Sequence, residues 1–110
     1  MGGRAMLTSK QRRFLKGKAH PLKPVVLLGQ HGLTDAIVKE TDRALADHEL
    51  IKVRLGDLAG PDEKESVARK AAAEQLAKRT SADVVGLVGK IVILYREDAD
   101  APQFKLPAAS

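Results

Sequence analysis

An α/β domain with the element order α-β-α-β-α-β-β is predicted for this chain by three observations. Apolar residues recur at helical spacing in three separated segments, short β-type runs lie between and after them, and glycine- or proline-bearing connections mark the changes. With 110 residues, 44% hydrophobic and 30% charged, the chain has the makings of one ordinary core. Neither an internal repeat nor a second domain is visible.

The first helix is expected over about Ser9 to Lys18, with Thr8 or Ser9 as its cap and Pro21 beyond its end. At 100° per residue, Leu7, Gln11, Phe14 and Leu15 share a core-facing side, while Lys10, Arg12, Arg13 and Lys16 form a cationic ridge on the other. Pro24 introduces a strand over Val25 to Leu28, whose four consecutive apolar residues read as a central strand buried on both faces. Thr34 then caps a helix through about Asp47, with Ile37, Thr41, Ala44, Leu45 and His48 at core spacing.

Leu50 to Leu55 alternates cleanly and reads as a strand with one more solvated face, carrying Leu50, Lys52 and Arg54. Gly56 to Pro61 is a polar connection, and Asp62 with Glu65 resembles a capping box for an alanine-rich helix reaching about Lys78. Its packing stripe is expected from Val67, Ala68, Ala71, Ala72, Leu76 and Ala77. Two strands, Val84 to Val88 and Ile91 to Tyr95, flank the hairpin signal Gly89-Lys90. Residues 97–110 have the composition of a flexible tail, with Phe104 and Leu106 as its possible anchors.

Charge is distributed unevenly. Residues 1–34 hold seven cations (Arg4, Lys10, Arg12, Arg13, Lys16, Lys18 and Lys23) and no acid, whereas the other 76 residues hold 12 basic and 14 acidic side chains. The whole net charge of +5 is therefore N-terminal. Such a concentrated field predicts a polyanionic partner, against the plainer reading of a solvated helix face. The apolar runs are too short to span a bilayer, and neither a signal-peptide core nor a myristoylation pattern opens the sequence. With no cysteine present, there is no disulfide framework and no thiolate chemistry, which fits a cytoplasmic protein.

Beside these cations lies the Gly29-Gln30-His31-Gly32 loop, between a strand and a helix start. Glycines let a backbone approach a ligand closely, and the first amides of a helix lack helical partners, so a phosphate contact is one reading. A tight connection that needs positive φ is the other. Gly86 to Gly89 also matches the GxxG spacing but lies at the hairpin, with no helix after it. His31 is placed to touch a phosphate or base, or stands solvated in the loop. His20, His31 and His48 lack zinc-site spacing, and no catalytic motif is present, so no metal, cofactor or catalytic residue is expected. Asp35 reads as a complement to the helix dipole rather than a base. Only Phe14, Tyr95 and Phe104 are aromatic, which argues for recognition of backbone and shape rather than extended base stacking. Tyr95 and Arg96 offer a possible extension of the site.

The stretch LTSKQRRFLKGKAHPLKPVVLLGQHGLTDAIVKETDRALADHELIKVRL, with VVGLVGKIVILYR, closely resembles the CRM domain in its bacterial stand-alone (YhbY) form. The resemblance covers about Leu7 to Arg96, leaving 1–6 as an N-terminal extension. It implies a four-stranded mixed sheet packed by helices, similar to the C-terminal domain of translation initiation factor three. It also implies RNA binding, with ribosomal RNA of the large-subunit precursor as partner and a role in ribosome maturation. On this reading the RNA-binding candidates are Lys10, Arg12, Arg13, Lys16, Lys18, Lys23, Gly29, Gln30, His31 and Gly32, in a monomer with no membrane contact. The alternatives are a protein-interaction adaptor whose basic face meets an acidic partner, and a nucleic-acid-processing enzyme using His31 and Asp35. A major-groove DNA reader fits less well, because the basic helix also sends Phe14 and Leu15 into the core.

Overall fold

Thr8 opens the first helix, α1 (Ser9–Ala19): its hydroxyl accepts from the Gln11 amide at 3.1 Å, while the Gln11 side chain accepts from the Thr8 amide at 3.1 Å. This reciprocal pair satisfies two donors that a helix start leaves open. In the computed structural model, which describes residues 7–29, 31–56, 64–98 and 100–107, six further elements follow in the expected order. They are β1 (Val26–Leu28), α2 (Asp35–His48), β2 (Leu50–Leu55), α3 (Glu65–Arg79), β3 (Asp83–Val88) and β4 (Ile91–Tyr95).

The strands form one mixed sheet in the order β1-β2-β4-β3, with β1 parallel to β2 and both pairings of β4 antiparallel. Alternation along the strands sends side chains to two separate apolar layers. On one face α2 and α3 cover Leu28, Ile51, Val53, Leu55, Val92 and Leu94, with Leu45 and Leu76 as the large helical contributions. On the other, α1 lays Leu15 and Ala19 over Leu50, Val85, Ile93 and Tyr95. Each fully buried aliphatic side chain contributes about 1.5–3 kcal/mol, so the single helix on this second face is held chiefly by Leu7 and Leu15 with half-buried Phe14.

Four expectations are corrected. Val25 to Leu28 does not form a central strand: β1 is an edge strand, and Leu27 is 60% exposed and Val25 48% exposed. His48 is exposed, because the chain leaves α2 there through Glu49 at φ 62°. α3 buries Ala68, Ala73, Leu76 and Ala77, while Val67 is 55% exposed and Ala71 is exposed. Its N-cap is Lys64, without a side-chain cap bond, so Glu65 is the first helical residue rather than the third; Asp62 lies outside the described residues.

The β3–β4 hairpin closes through Gly89, at φ 58°, and Lys90, with Val88 paired to Ile91. A register shift between Val84 and Gly86 lets Val85 reach the α1 layer. Beyond β4 the chain returns to the body at Phe104 and Leu106. Phe104 meets Tyr95 edge-on with ring centroids 6.4 Å apart, Leu106 packs on the α1 layer, and Gln11 donates to the Pro107 carbonyl at 3.0 Å. The buried carboxylate of Glu49 accepts from the amides of Asp98, at 3.1 Å, and Gln103.

Candidate nucleic-acid interface

The connection between β1 and α2 is folded on itself. Gly32 donates to the Gly29 carbonyl at 2.9 Å and Thr34 to the Gly32 carbonyl at 3.1 Å; the Thr34 hydroxyl then accepts from the Ile37 amide at 3.2 Å. Of the helix-opening amides expected to point outward, that of Ile37 is thus taken internally, and two loop amides are taken as well. The two glycines also differ. Gly32 sits at φ 71°, a conformation costly for other residues, whereas Gly29 has no such φ; a Cβ on either would meet nothing within 4 Å. Gly29 leaves open space above the backbone, and Gly32 shapes the turn. His31 is exposed, and Gln30 lies outside the described residues.

A third glycine supports the loop from below. The Gly56 amide donates to the Leu28 carbonyl at 2.7 Å, and a Cβ on Gly56 would stand 3.0 Å from that oxygen. The sequence marked Gly56 only as part of a polar connection; the pairing of Leu28 with Leu55 explains why a side chain does not fit.

Of the ridge, Lys10, Arg13, Lys16 and Lys18 are exposed, Arg12 is half-buried, and Lys23 is exposed in the connection to β1. The Lys18 ammonium lies 5.5 Å from the Phe14 ring centroid, which ties its position to the helix surface. The chain enters α1 past Leu7, in the apolar layer that also holds Tyr95, and leaves it past Lys16 and His20, which line a recess with Val88 and Ile91. The basic C-terminal turn of α1 therefore points to the end of the sheet from which the Gly29–Gly32 loop and the Gly89-Lys90 turn both emerge. The ridge lies over β2 and β3, and the loop leaves the opposite edge at β1.

Between them is a strip of sheet that α1 does not cover. Leu27 pairs with Arg54, Arg54 with Ile91 and Ile91 with Val88, so one row crosses all four strands on the α1 face. Leu27 and Val88 are 60% and 64% exposed, and Arg54 is exposed. Next to this row, the Lys52 ammonium donates to the carbonyls of His20 at 3.2 Å and Leu22 at 3.0 Å. Lys52 and Arg54 were legible only as the solvated side of one strand; the strand order is what sets them between ridge and loop.

Other candidates have structural partners. Arg96 donates to the Asp42 carboxylate at 2.6 Å and carbonyl at 3.0 Å, and to the Thr80 carbonyl at 2.8 Å, so it joins β4 to α2 and the end of α3. Asp35 accepts from Arg79 at 2.9 Å. Gly86 lies under the side chain of Lys16, and the turn into β4 follows it. Among the described residues, no group of three or more His, Asp or Glu side chains is arranged to hold a metal, and no helix is long and apolar enough to cross a membrane.

Residues 7–96 match the family model of the CRS1 / YhbY (CRM) domain. A Haemophilus influenzae protein named "RNA-binding protein" is 41% identical over 101 residues, which span 92% of this chain and 95% of the relative. "Probable RNA-binding protein YqeI" of Bacillus subtilis is 36% identical over 102 residues, covering 93% of this chain and all of the relative. Among solved structures, the solution structure of the Staphylococcus aureus protein SAV1595, described as a candidate RNA-binding protein, superposes with a TM-score of 0.75 at 31% identity, covering 93% of this chain and 100% of the other.

Proposed function

Because the chain belongs to the CRS1 / YhbY (CRM) domain family, we propose that it binds ribosomal RNA of the large-subunit precursor and acts in ribosome assembly without catalysing a reaction. The observation that carries this reading is the set of exposed cations Lys10, Arg13, Lys16 and Lys18 around a helix whose Leu15 and Ala19 side is buried. These cations neutralise phosphates and position the RNA, with Arg12 and Lys23 adding to the same field. Gly29 leaves room for the RNA backbone, and Gln30, His31 and Gly32 complete the contact. The relatives named as RNA-binding proteins support the general class, and the resemblance to the bacterial stand-alone form supports the ribosomal target.

Binding to a ribosomal RNA fragment across a salt series tests the proposal. Contact with about five phosphates gives a slope of log affinity against log salt of roughly −3.5 to −4.5, and the Lys10/Arg13/Lys16 to Ala variant flattens it by roughly two to three units. Absence of binding, or a slope unchanged in the variant, transfers the ridge to the alternative of a protein adaptor with an acidic partner.

A further inference from the structure

We propose that the recess between the C-terminal half of α1 and the β3–β4 hairpin takes one unstacked nucleotide of the RNA, its base on Val88, Ile91 and Ile93 and its phosphate against Lys16 and Lys52. This rests on the RNA-binding reading above and specifies what kind of RNA the site prefers.

The recess has a volume of about 290 Å³ and is lined by Lys16, His20, Lys52, Val88, Ile91 and Ile93. That is near the lower end of the roughly 300–1,000 Å³ of small-molecule sites, a size suited to a nucleotide rather than a helix. Its floor is aliphatic, and its rim has one sign of charge, for none of the lining residues is acidic. An apolar partner segment would satisfy the floor and leave the two ammonium groups facing it; a nucleotide meets both, with a flat apolar base and an anionic phosphate.

Lys52 is held in place before any ligand arrives, and Lys16 lies over the sheet on the same side. The Lys16 stem lies against Gly86, where a Cβ would stand 2.5 Å from Cε. Lys52 gives two of its three N–H donors to the His20 and Leu22 carbonyls, which fixes the ammonium at the rim and leaves the third for a phosphate oxygen. Ordering of long side chains is a main cost of such contacts, and for Lys52 it is already met in the fold. The row continues from the recess through Arg54 to Leu27, beside the Gly29–Gly32 loop. A strand leaving the recess therefore has a cationic path toward the loop. Paired bases keep their faces stacked, so the recess selects single-stranded or bulged RNA.

The test compares, by fluorescence anisotropy, a short single-stranded RNA with the same strand annealed to its complement, using the full chain. Val88→Glu places a carboxylate in the recess at an exposed site; Gln75→Glu, exposed on α3, makes the same charge change on the other side of the sheet. The expected result is a preference of about tenfold for the single strand, lost in Val88→Glu and kept in Gln75→Glu. Equal affinity for the two RNAs, or the same effect in both variants, overturns the recess while leaving RNA binding in place. If wild-type protein binds neither RNA but binds the ribosomal RNA fragment of the salt series, the recess alone falls; if it binds none of the three, the functional proposal falls and the recess with it. Should Val88→Glu fail to fold, photo-crosslinking of wild-type protein to 4-thiouridine RNA decides: adducts at Val88, Ile91 or Ile93 support the recess, and adducts at none of these three overturn it.

Discussion

The side chain of Lys16 lies across Gly86, so that a Cβ at position 86 would fall 2.5 Å from Lys16 Cε and 3.3 Å from Nζ. A residue of the ridge is thus seated on the sheet by the absence of a side chain on β3. The register shift between Val84 and Gly86 turns Val85 into the same layer. Packing of the helix and placement of one cation come from the same short segment.

Gly86→Ala is expected to leave stability within about 1 kcal/mol of wild type, because the atoms it meets are the far end of a flexible side chain. It moves the Lys16 ammonium instead. RNA affinity should fall with little change in Tm, and the loss should be largely absent when Lys16 is already Ala. A double-mutant cycle on binding measures this; additive losses would show that the two positions act separately.

The two loop glycines should respond differently to substitution. Gly32→Ala forces a side chain to φ 71° and is expected to cost about 1–2 kcal/mol in urea unfolding, with Gly32→Asn costing less because Asn tolerates that region. Gly29→Ala meets open space at an ordinary φ and should stay within about 0.5 kcal/mol of wild type. Gly29→Asp is therefore the cleaner probe of the loop. It should unfold like wild type and weaken RNA binding by repelling phosphate.

Glu49 should prove one of the more sensitive polar positions. It is buried at φ 62°, and its carboxylate accepts from the Asp98 and Gln103 amides, which draws the segment after β4 onto the body. Bonds to a charged acceptor are worth about 1.5–3 kcal/mol each, and Glu49→Ala leaves two amides without theirs. A loss of about 2–4 kcal/mol is expected, with faster hydrogen exchange at Asp98 and Gln103. Glu49→Gln, which retains one acceptor oxygen, should lose less.

The element order and most boundaries were legible because periodicity and punctuation agree along the chain. Position within the sheet was not. Four apolar residues at Val25 to Leu28 look the same in a central strand and in an edge strand whose outer side chains are exposed, and only the pairing with β2 alone separates the two. α3 misled for another reason: alanines on every side give little contrast, so Val67 was assigned to a stripe that it does not join. The ridge and the loop were visible as clusters in sequence. The Leu27–Arg54–Ile91–Val88 row was not, since four strands must be laid side by side before it exists. Glu49 carried no signal, because its partners lie about fifty residues on.

Arg96 separates charge used for structure from charge available to RNA. Its guanidinium is engaged by the Asp42 carboxylate and carbonyl on α2 and by the Thr80 carbonyl at the end of α3, and its side chain is largely covered, 22% exposed. The Asp42 side chain is 59% exposed, so solvent screens the ion pair and most of the value lies in bonds to the two carbonyls. Arg96→Ala is expected to cost about 1–2 kcal/mol, and Arg96→Lys to recover only part, since an ammonium cannot span the fork-shaped set of acceptors. If RNA runs along the ridge, the recess and the loop, neither variant changes the salt slope under conditions where the protein is folded. A slope flattened by about one unit in Arg96→Ala would instead put Arg96 in the interface and shift the RNA path toward the opposite end of β4.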